Sequence, residues 1–398
     1  MKYLWFGLCL SPSDKEKIIA NGGKLLSGEV ANNTLLKGLE ENGIICDTIN
    51  TYNLPTYPAY PQKKIEGYSW NRVAQSQDYT IGYKNIKYFN ILSKTKNIVK
   101  ASKQWARKHK DEEVTIFVFP MHSPFMAGAC AVKKIIPSAK IVLIVPDLPQ
   151  YMDLRTSIIK RFLKKIDWIG IKRRMKRVDK YVLYSKHMAD FLHLKKNDWI
   201  VMEGAFNPSL LIEENISKED DKTSIMYSGV LDMRYGIPEL LDAMPLLDER
   251  YELWLTGHGN AIPLIEERAK NDKRIKFFGF LPSRRDLLLK QKEASMLISP
   301  RHTNEEASKY CFPSKLFEYM ISGNPVLSTN IAGIPEEYDS YLIKIEATNA
   351  ESIASAIKQV AGMKKQEREE FGFRAKRFIL EEKNAQAQTR KILEFIKQ

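Results

Sequence analysis

Residues 312–326 combine a cation, a carboxylate and small polar side chains at helical spacing. A helix that begins at Pro313 places its apolar residues on one face, at the i, i+1, i+4, i+5 positions of a core-facing stripe: Leu316, Phe317, Met320 and Ile321. Ser314, Lys315 and Glu318 then lie on the opposite face. Proline at the first helical position leaves the next N–H groups available to an anion, which the helix dipole also attracts. The pattern fits a nucleoside diphosphate whose ribose hydroxyls donate to Glu318, and it fits an ordinary capped helix with a solvated glutamate equally well.

Four loops that follow predicted strands of the second half carry glycine or charged residues: 228–236, 256–260, 277–284 and 299–311. In doubly wound sheets ligands bind at the carboxyl ends of the strands, so these loops should meet at one sheet edge. One glycine pair would indicate only a tight turn, but four such loops with Arg234 and Lys315 favour a phosphate site. They contain neither a Walker sequence nor GxGxxG, which disfavours a simple nucleotide hydrolase or dehydrogenase.

Strand and helix patterns alternate along the chain, which predicts an α/β fold with doubly wound, mostly parallel sheets. First-half strands are predicted at 2–10, 44–50, 86–92, 114–119, 140–146, 181–185 and 199–204. Second-half strands are predicted at 224–228, 252–256, 275–279, 296–299, 325–329 and 341–345, with helices at 237–246, 261–270, 284–291 and 313–322. The polar segment 52–85 is predicted to be a functional loop.

A chain of 398 residues is long enough for two domains, each with its own core. The charged, weakly patterned segment 207–222 marks the junction, so we predict domains at residues 1–205 and 206–380. The final segment, 381–398, is predicted to be helical.

The excess positive charge belongs to the first half of the chain. The net charge is +14, of which residues 1–205 contribute +16 and residues 206–398 contribute −2. This asymmetry indicates an anionic partner for the first half, either membrane headgroups or nucleic acid. No zinc finger, RNP-like stretch or arginine-rich tail supports nucleic acid.

Residues 155–177 hold ten basic residues and a single acid, Asp167. Their apolar residues recur at i, i+1, i+4, i+5 and i+8, the pattern of an amphipathic helix: Ile158, Ile159, Phe162, Leu163 and Ile166. We expect this apolar stripe to pack in the core. The basic face is either simply solvated or binds an anionic leaflet or a lipid-linked diphosphate, through Lys160, Arg161, Lys164 and Lys165.

Cysteine usage and hydropathy predict a cytoplasmic protein. Cys9, Cys46, Cys130 and Cys311 lie far apart without metal-ligand spacing, as in a reduced cytosolic protein. No apolar run approaches the ~20 residues of a membrane span. The first residues resemble a signal peptide only superficially, since no small-residue cleavage site follows them, and a buried first strand is the better interpretation.

Five segments of the second half resemble the retaining family-four glycosyltransferases of the GT-B fold, in the branch that makes bacterial capsule, O-antigen and exopolysaccharide: 227–244, 252–259, 274–281, 312–329 and 333–338. Residues 27–43 and 145–152 look like parts of the matching acceptor domain. The last segment, 381–398, resembles the closing helices that return to the first domain. The resemblance implies two facing Rossmann-like, doubly wound domains with a deep interdomain cleft, a nucleotide-sugar donor held by the second domain and an acceptor held by the first.

The resemblance also implies roles for single residues. Glu318 matches the glutamate that accepts ribose hydroxyls, Lys315 lies at the helix tip under the diphosphate, and Arg234 matches the basic residue of the first glycine loop. The full donor set implied is Gly229, Arg234, Gly257, Phe280, Leu281, Tyr310, Phe312, Pro313, Ser314, Lys315 and Glu318. Tyr310 stands where many members have a glutamate that contacts the donor sugar. Glu305 and Glu306 lie just upstream and are candidates to replace that glutamate. The resemblance therefore does not identify the sugar that is transferred.

In the first domain, Asp147 and His122 follow predicted strands, and Asp147 lies roughly where other members place a catalytic histidine. For His122, a capping or core histidine is the favoured alternative. Gly22, Gly23 and Lys24 are expected to form a loop near the donor phosphates, with a plain mobile turn as the alternative. The catalytic residues expected are Asp147, His122, Arg234 and Lys315.

The resemblance implies a retaining enzyme, peripheral at the cytoplasmic face of the membrane, that moves a sugar to a lipid-linked oligosaccharide. We expect no cofactor and no metal, since cationic side chains and the helix dipole can stabilise the diphosphate, and no nucleic acid. A sugar-nucleotide epimerase of the same architecture and a basic nucleic-acid-binding protein remain alternatives. Conversion of the donor without an acceptor would indicate the epimerase. Steeply salt-dependent binding of nucleic acid would indicate the nucleic-acid-binding protein.

Overall fold

The computed structural model describes residues 1–21, 27–151, 158–214 and 222–398, and it divides the chain into two compact units. The first unit comprises Met1–Ala205 and Ala385–Gln398, and the second comprises Phe206–Asn384. The first division thus falls after residue 205, where the boundary was predicted. The chain re-enters the first unit at Ala385, slightly later than the predicted 381.

In the described part of the first unit, the main sheet has the order β10-β9-β8-β7-β1-β2-β5-β4, and only the β4–β5 pair is antiparallel. The strands are β1 (Lys2–Gly7), β2 (Cys46–Asn50), β3 (Lys64–Ile65), β4 (Tyr68–Trp70), β5 (Asp78–Thr80), β6 (Tyr83–Lys84), β7 (Val114–Val118), β8 (Lys140–Val145), β9 (Lys180–Leu183) and β10 (Trp199–Val201). The helices are α1 (Pro12–Ala20), α2 (Ser27–Glu41), α3 (Asn90–Lys108), α4 (Ser123–Ile135), α5 (Ile158–Met175) and α6 (His187–Leu192). The central strands β7 and β8 are nearly continuous apolar runs, because both faces of a parallel sheet are covered.

The sheet of the second unit is parallel throughout its described residues, in the order β13-β12-β11-β14-β15-β16. Its strands are β11 (Thr223–Val230), β12 (Tyr251–His258), β13 (Ile275–Phe277), β14 (Met296–Ser299), β15 (Val326–Thr329) and β16 (Ile343–Ile345). Its helices are α7 (Ile237–Ala243), α8 (Ile262–Asn271), α9 (Arg284–Glu293), α10 (Lys315–Ile321), α11 (Ala350–Gly362) and α12 (Lys365–Glu382). The chain runs outward from β11 to β13 and then returns to β14 on the other side of β11. The β11–β14 boundary is therefore the topological switch point, where such sheets form a ligand crevice.

The second unit has a hydrophobic core on each face of its sheet, and β11 contributes side chains to both cores. Ile225 and Tyr227 point into the core under α7, α8 and α11, whereas Met226 points into the core under α10 and α12. This alternation follows from the two-residue period of a strand. It fixes the direction of Tyr227 beside the functional loops.

The last helix, α13 (Ala385–Lys397), packs on α2 of the first unit. A Cβ at Gly38 would lie 2.2 Å from the carbonyl oxygen of Ala385, so the two helices approach closely at this glycine. The Asn42 amide donates to the Thr389 hydroxyl over 2.9 Å. The final helix therefore belongs to the first unit, as the resemblance implied.

Two first-half predictions are wrong. The predicted strand 86–92 is instead a turn leading into α3, which begins at Asn90. Ile86 forms only an isolated bridge with Tyr57, and several of the β-forming side chains are exposed and have little to pack on. The predicted loop 52–85 contains the short strands β3 to β6, and β5 extends the main sheet by pairing with β2.

The amphipathic helix is present as α5, but its predicted packing is wrong. Phe162, Leu163 and Ile166 are exposed instead of buried in the core. The helix contacts the unit through its other side, where Ile171 is buried and the ring of Trp168 lies 6.2 Å from that of Phe191. The outer side of α5 thus mixes apolar and basic side chains.

No helix among the described residues is long and apolar enough to cross a membrane. The predicted phosphate loop, Gly22, Gly23 and Lys24, lies outside the described residues.

Candidate functional site

The carboxyl ends of β11, β12 and β13 approach each other closely because glycines, which have no side chain, occupy these positions. Gly229 and Gly257 are register partners, and a Cβ at Gly257 would lie 1.8 Å from the carbonyl oxygen of Gly229. Gly257 also has a φ of +141°, which strains any other residue. The N–H of Gly257 and the hydroxyl of Thr256 both donate to the carbonyl of Gly279, over 2.9 and 2.7 Å. Three of the four predicted loops therefore meet at this edge.

Lys315 places its ammonium group beside Gly229. Its Nζ lies 3.7 Å from the centroid of the Tyr227 ring, and a Cβ at Gly229 would lie 3.6 Å from it. The Nζ is fully enclosed and makes no hydrogen bond to any of the described residues. Burial, and then repulsion by Arg301, lowers the pKa of Lys315 well below its usual value, while Glu318 acts in the opposite direction. The site therefore holds a buried ammonium group whose donors are unused.

Arg301 is a second cation at this position, and sequence reasoning missed it. It lies two residues after the end of β14, across the switch point from β11. Its guanidinium lies 4.3 Å from the centroid of the Tyr235 ring, and Nη1 lies 3.5 Å from Sγ of Cys311. No ion pair joins Arg301 to a carboxylate among the described residues. Two neighbouring cations, neither of them ion-paired with a carboxylate of the described residues, suit a doubly charged anion such as a diphosphate.

The backbone of Arg301 is held by two hydroxyl groups. Thr329 and Thr348 both donate to its carbonyl oxygen, over 2.5 and 3.0 Å. The position of Arg301 two residues after a predicted strand, at the switch point, was the signal that could have identified it.

Glu318 lies on α10 and is bound by Arg284. Nη2 of Arg284 donates to Oε1 of Glu318 over 2.6 Å, and both side chains are partly exposed. The predicted apolar face is confirmed, since Leu316, Phe317, Met320 and Ile321 are all buried. The helix is shorter than predicted: it begins at Lys315, and the carbonyl of Pro313 accepts from the Leu316 N–H over 2.8 Å.

Tyr319 ties α10 to the end of β11, which the sequence did not indicate. Its hydroxyl donates to the Ser228 carbonyl over 2.9 Å and accepts from the Ser228 N–H over 2.8 Å. Gln291 of α9 donates to the Ser228 hydroxyl over 2.9 Å. These buried bonds hold Lys315 and Glu318 in place relative to the glycine loops.

Arg234 lies in the first glycine loop but is partly neutralised. Its Nε and Nη2 donate to the two carboxylate oxygens of Asp232, over 2.9 and 3.0 Å. The bond to Asp232 raises the pKa of Arg234. About half of the side chain is exposed, so the guanidinium can also reach a ligand.

The remaining predicted donor residues differ in their surroundings. Phe280 is 64% exposed and meets His258 edge-on at 5.8 Å, while Leu281 beside it is half-buried. The Tyr310 hydroxyl donates to Oε1 of Glu306 over 3.2 Å. Phe312 is a correction, because its ring packs in the core against Phe317 and Tyr338.

Pro313 is also buried, and Ser314 is exposed in the turn that precedes α10. Because the Phe312 ring packs against Phe317 and Tyr338 in the core, it stabilises the fold instead of contacting a donor.

In the first unit, His122 and Asp147 follow the neighbouring strands β7 and β8. Burial, and then the charge of Lys94, lowers the pKa of His122 to about 3, so its imidazole is neutral at pH 7. Asp147 is exposed. The pKa of the Tyr184 hydroxyl is raised mainly by the burial of Tyr184 and then by the negative charge of Asp147. These residues lie at the carboxyl edge of the first sheet, as predicted.

The predicted basic patch lies on α5. Arg161 and Lys165 are exposed and Lys164 is half-buried, while the side chain of Lys160 lies outside the described residues. Among the described residues, no group of three or more His, Cys, Asp or Glu side chains could hold a metal ion.

Residues 222–362 match the family model of glycosyl transferases group 1, and Arg301, Lys315 and Glu318 all lie within the matched segment. Sucrose-phosphate synthase from Thermosynechococcus elongatus has a similar fold, with a TM-score of 0.68 and 13% identity over 100% of this chain and 98% of that chain. Anabaena HepE in complex with UDP has a TM-score of 0.64 at 12% identity, over 100% of each chain. A UDP-forming α,α-trehalose-phosphate synthase from Burkholderia xenovorans, in complex with glucose-6-phosphate, has a TM-score of 0.63 at 11% identity, also over 100% of each chain.

The chain is a glycosyltransferase with the GT-B fold. At these identities the solved structures show the fold alone, and the predicted pair of Rossmann-like domains is confirmed. No curated protein matches the chain by sequence. In this glycosyltransferase, the matched domain holds the two cations, the carboxylate and the converging glycine loops.

Proposed function

We propose that this glycosyltransferase moves a sugar from a nucleoside-diphosphate donor to a lipid-linked oligosaccharide, with retention of anomeric configuration, during the synthesis of a surface polysaccharide. The observation that carries the donor is the Lys315 ammonium group, which is buried beside Gly229 with no hydrogen-bond partner in the part of the chain that the structure describes. A buried cation with unused donors is costly unless a ligand supplies an anion. A diphosphate meets that need.

The donor lies along α10 and the glycine loops. Lys315, Arg301 and Arg234 bind the diphosphate, and Gly229 allows the phosphates to approach the backbone. Stabilisation of the departing diphosphate by these cations is the principal catalytic contribution, because the charge develops next to groups that are already in position.

The nucleoside occupies the other end of the donor site. Glu318 accepts the ribose hydroxyls, and the base lies on the exposed ring of Phe280 and on Leu281. HepE was solved with UDP, and this supports a uridine nucleotide as the first candidate. Tyr310 and Glu306, which are hydrogen-bonded to each other, are the residues that we assign to recognition of the donor sugar.

Retention and the surface-polysaccharide role rest on the resemblance of residues 312–329 to the retaining family-four enzymes. The lipid-linked acceptor and the anionic membrane surface rest on the basic first half and on Arg161, Lys164 and Lys165 of α5, with Lys160. Asp147 and His122 are the acceptor-side residues. Because His122 is neutral, its ring can accept a hydrogen bond from an acceptor hydroxyl.

Calorimetry of the full chain against UDP, GDP and other nucleoside diphosphates, followed by turnover of the sugar nucleotide that binds best, tests this proposal. We expect saturable binding of one nucleoside diphosphate, and sugar transfer to detergent-solubilised lipid-linked oligosaccharide with the anomeric configuration retained. Binding of no nucleoside diphosphate would overturn the donor assignment. Conversion of the sugar nucleotide without any acceptor would indicate an epimerase instead.

A further inference from the structure

The outer side of α5 presents four large apolar side chains to solvent. Phe162 is 63% and Ile166 51% exposed, and Leu163 and Ile169 are also exposed. At 100° per residue, positions i, i+1, i+4 and i+7 form one stripe along a helix. Large apolar side chains grouped in this way on a protein surface mark an interaction site.

A second exposed apolar group lies at the start of α3. Phe89 and Leu92 are 62% and 65% exposed. Three further side chains of the same segment are exposed as well: Ile86, Tyr88 and Ile91. This segment and the α5 stripe together hold many of the exposed large apolar side chains of the first unit.

Both groups adjoin the same edge of the first sheet. The helices α3 and α5 pack on either side of α4, and each leads into a parallel strand, so each begins at the carboxyl edge. His122 lies at the start of α4, at this edge, and Asp147 follows β8 there. The exposed apolar residues therefore flank the edge that carries the acceptor-side residues.

The charges around these residues identify the partner. Seven Lys and Arg residues and only one acid, Asp167, lie within α5. The segment before α3 carries Lys84 and Lys87, and Lys96 follows on the helix. A second copy of this chain would bring the same positive charge, and nucleic acid would leave the apolar stripe uncovered. An anionic bilayer accommodates both, because headgroups neutralise the bases while the acyl layer accepts the apolar side chains.

We infer that the first unit binds an anionic bilayer by inserting the α5 stripe (Phe162, Leu163, Ile166 and Ile169), with the segment around Phe89 and Leu92 as a second contact. The inference deepens the proposed function, and it rests on it for the lipid-linked acceptor. Insertion places the edge with His122 and Asp147 at the membrane surface, where the saccharide end of such an acceptor lies. Binding is thus partly hydrophobic and is not fully reversed by salt.

Co-sedimentation of the full chain with phosphatidylcholine vesicles, with and without phosphatidylglycerol, tests the inference. We expect binding only to the anionic vesicles, with a remainder that persists in high salt. Replacing two stripe residues together, Phe162→Ser and Ile166→Ser, leaves every charge in place and should lower the partition coefficient at least about tenfold. The matched control is Phe373→Ser, which removes a 58%-exposed phenylalanine from α12 of the second unit and should bind as the wild type does.

Two further measurements make the outcomes distinct. Tryptophan fluorescence of the Phe162→Trp variant should shift to the blue when anionic vesicles are added. The melting temperature and nucleoside-diphosphate binding of each variant should be unchanged, since α5 lies outside the donor domain. Failure of donor binding would therefore overturn the proposed function without affecting the result with vesicles.

The inference is wrong if the doubly substituted chain binds the vesicles as tightly as the wild type does, because the contact would then be electrostatic alone. It is also wrong if the wild type does not bind anionic vesicles in low salt. A concentration-dependent dimer that the two serine substitutions abolish, without vesicle binding, would assign the stripe to an interface between copies instead.

Discussion

Arg284 donates from Nη2 to Oε1 of Glu318 over 2.6 Å, which ties the first residue of α9 to the carboxylate of α10. Arg284 closely follows Phe280 and Leu281, the proposed base-binding pair. The bond thus links the base end of the proposed donor site to the group that accepts the ribose.

Neutralising Glu318 should weaken donor binding without unfolding the protein. A carboxylate that accepts hydroxyl donors makes charge-assisted bonds of roughly 1.5–3 kcal/mol, so Glu318→Gln should lower nucleoside-diphosphate affinity by about one to two orders of magnitude. The melting temperature should hardly change, because the Arg284 ion pair is partly exposed and contributes little stability. Calorimetry with nucleoside and nucleoside diphosphate measures both effects, and wild-type affinity in this variant would contradict the assignment.

Arg284 should act on the donor only through Glu318. If the ion pair orients the carboxylate, Arg284→Ala should weaken nucleoside binding several-fold in the wild-type background. The same substitution in Glu318→Gln should have no further effect, so the two changes should be non-additive by about 0.2–1 kcal/mol. A double-mutant cycle measured by calorimetry tests this, and additive losses would show that Arg284 contacts the ligand independently.

Donor binding should be coupled to protonation of Lys315. The pKa of this group is lowered well below 10.5 in the free protein, and a bound diphosphate should raise it again. Between the free and bound pKa values, binding should take up a proton, and affinity should fall by up to about tenfold per pH unit as the pH rises. Calorimetry in buffers of different ionisation enthalpy measures the uptake.

The lowered pKa of Lys315 affects stability in the opposite direction to donor affinity: stability increases as the pH rises. Between the lowered pKa of the folded state and 10.5, the unfolded chain binds the extra proton, so the contribution of Lys315 to the free energy of unfolding rises with pH. Lys315→Met should abolish this contribution and the proton uptake while sparing nucleoside binding. Unchanged proton uptake in Lys315→Met would show that another group titrates.

Gly257 should not tolerate a side chain. Gly257→Ala places a Cβ 1.8 Å from the Gly229 carbonyl oxygen at a φ of +141°, so unfolding should become easier by at least about 2 kcal/mol. The matched control is Gly362→Ala at the end of α11, where a Cβ would meet no atom within 4 Å. Thermal and denaturant unfolding of both variants tests this, and equal stability would contradict the close approach of β11 and β12.

Sugar transfer should continue in the presence of a chelator, because the cations Lys315, Arg301 and Arg234 can neutralise the diphosphate. The measurement is turnover with and without EDTA, with added magnesium as the control. Strict loss of activity that a divalent cation restores would show that a metal takes part.

Local pattern alone determined much of the second unit. Residues 296–299 were predicted as a strand and form β14 with the same bounds, and the apolar face of α10 was read from its spacing. A strand buried on both faces leaves a short continuous apolar run in the sequence, and a helix with one apolar face leaves a helical period. Glu318 and Lys315 could therefore be singled out before the structure was known.

Tertiary structure decided which side chains meet. Arg301 and Lys315 are close only because β14 returns beside β11. The hydroxyl of Tyr319 reaches Ser228 only because α10 packs on the sheet beside β11. The α5 stripe is exposed where its pattern predicted a core contact, and the ring of Phe312 is buried where the resemblance implied a donor contact. A period shows that a helix has an apolar face, but the elements packed around it decide whether that face is covered.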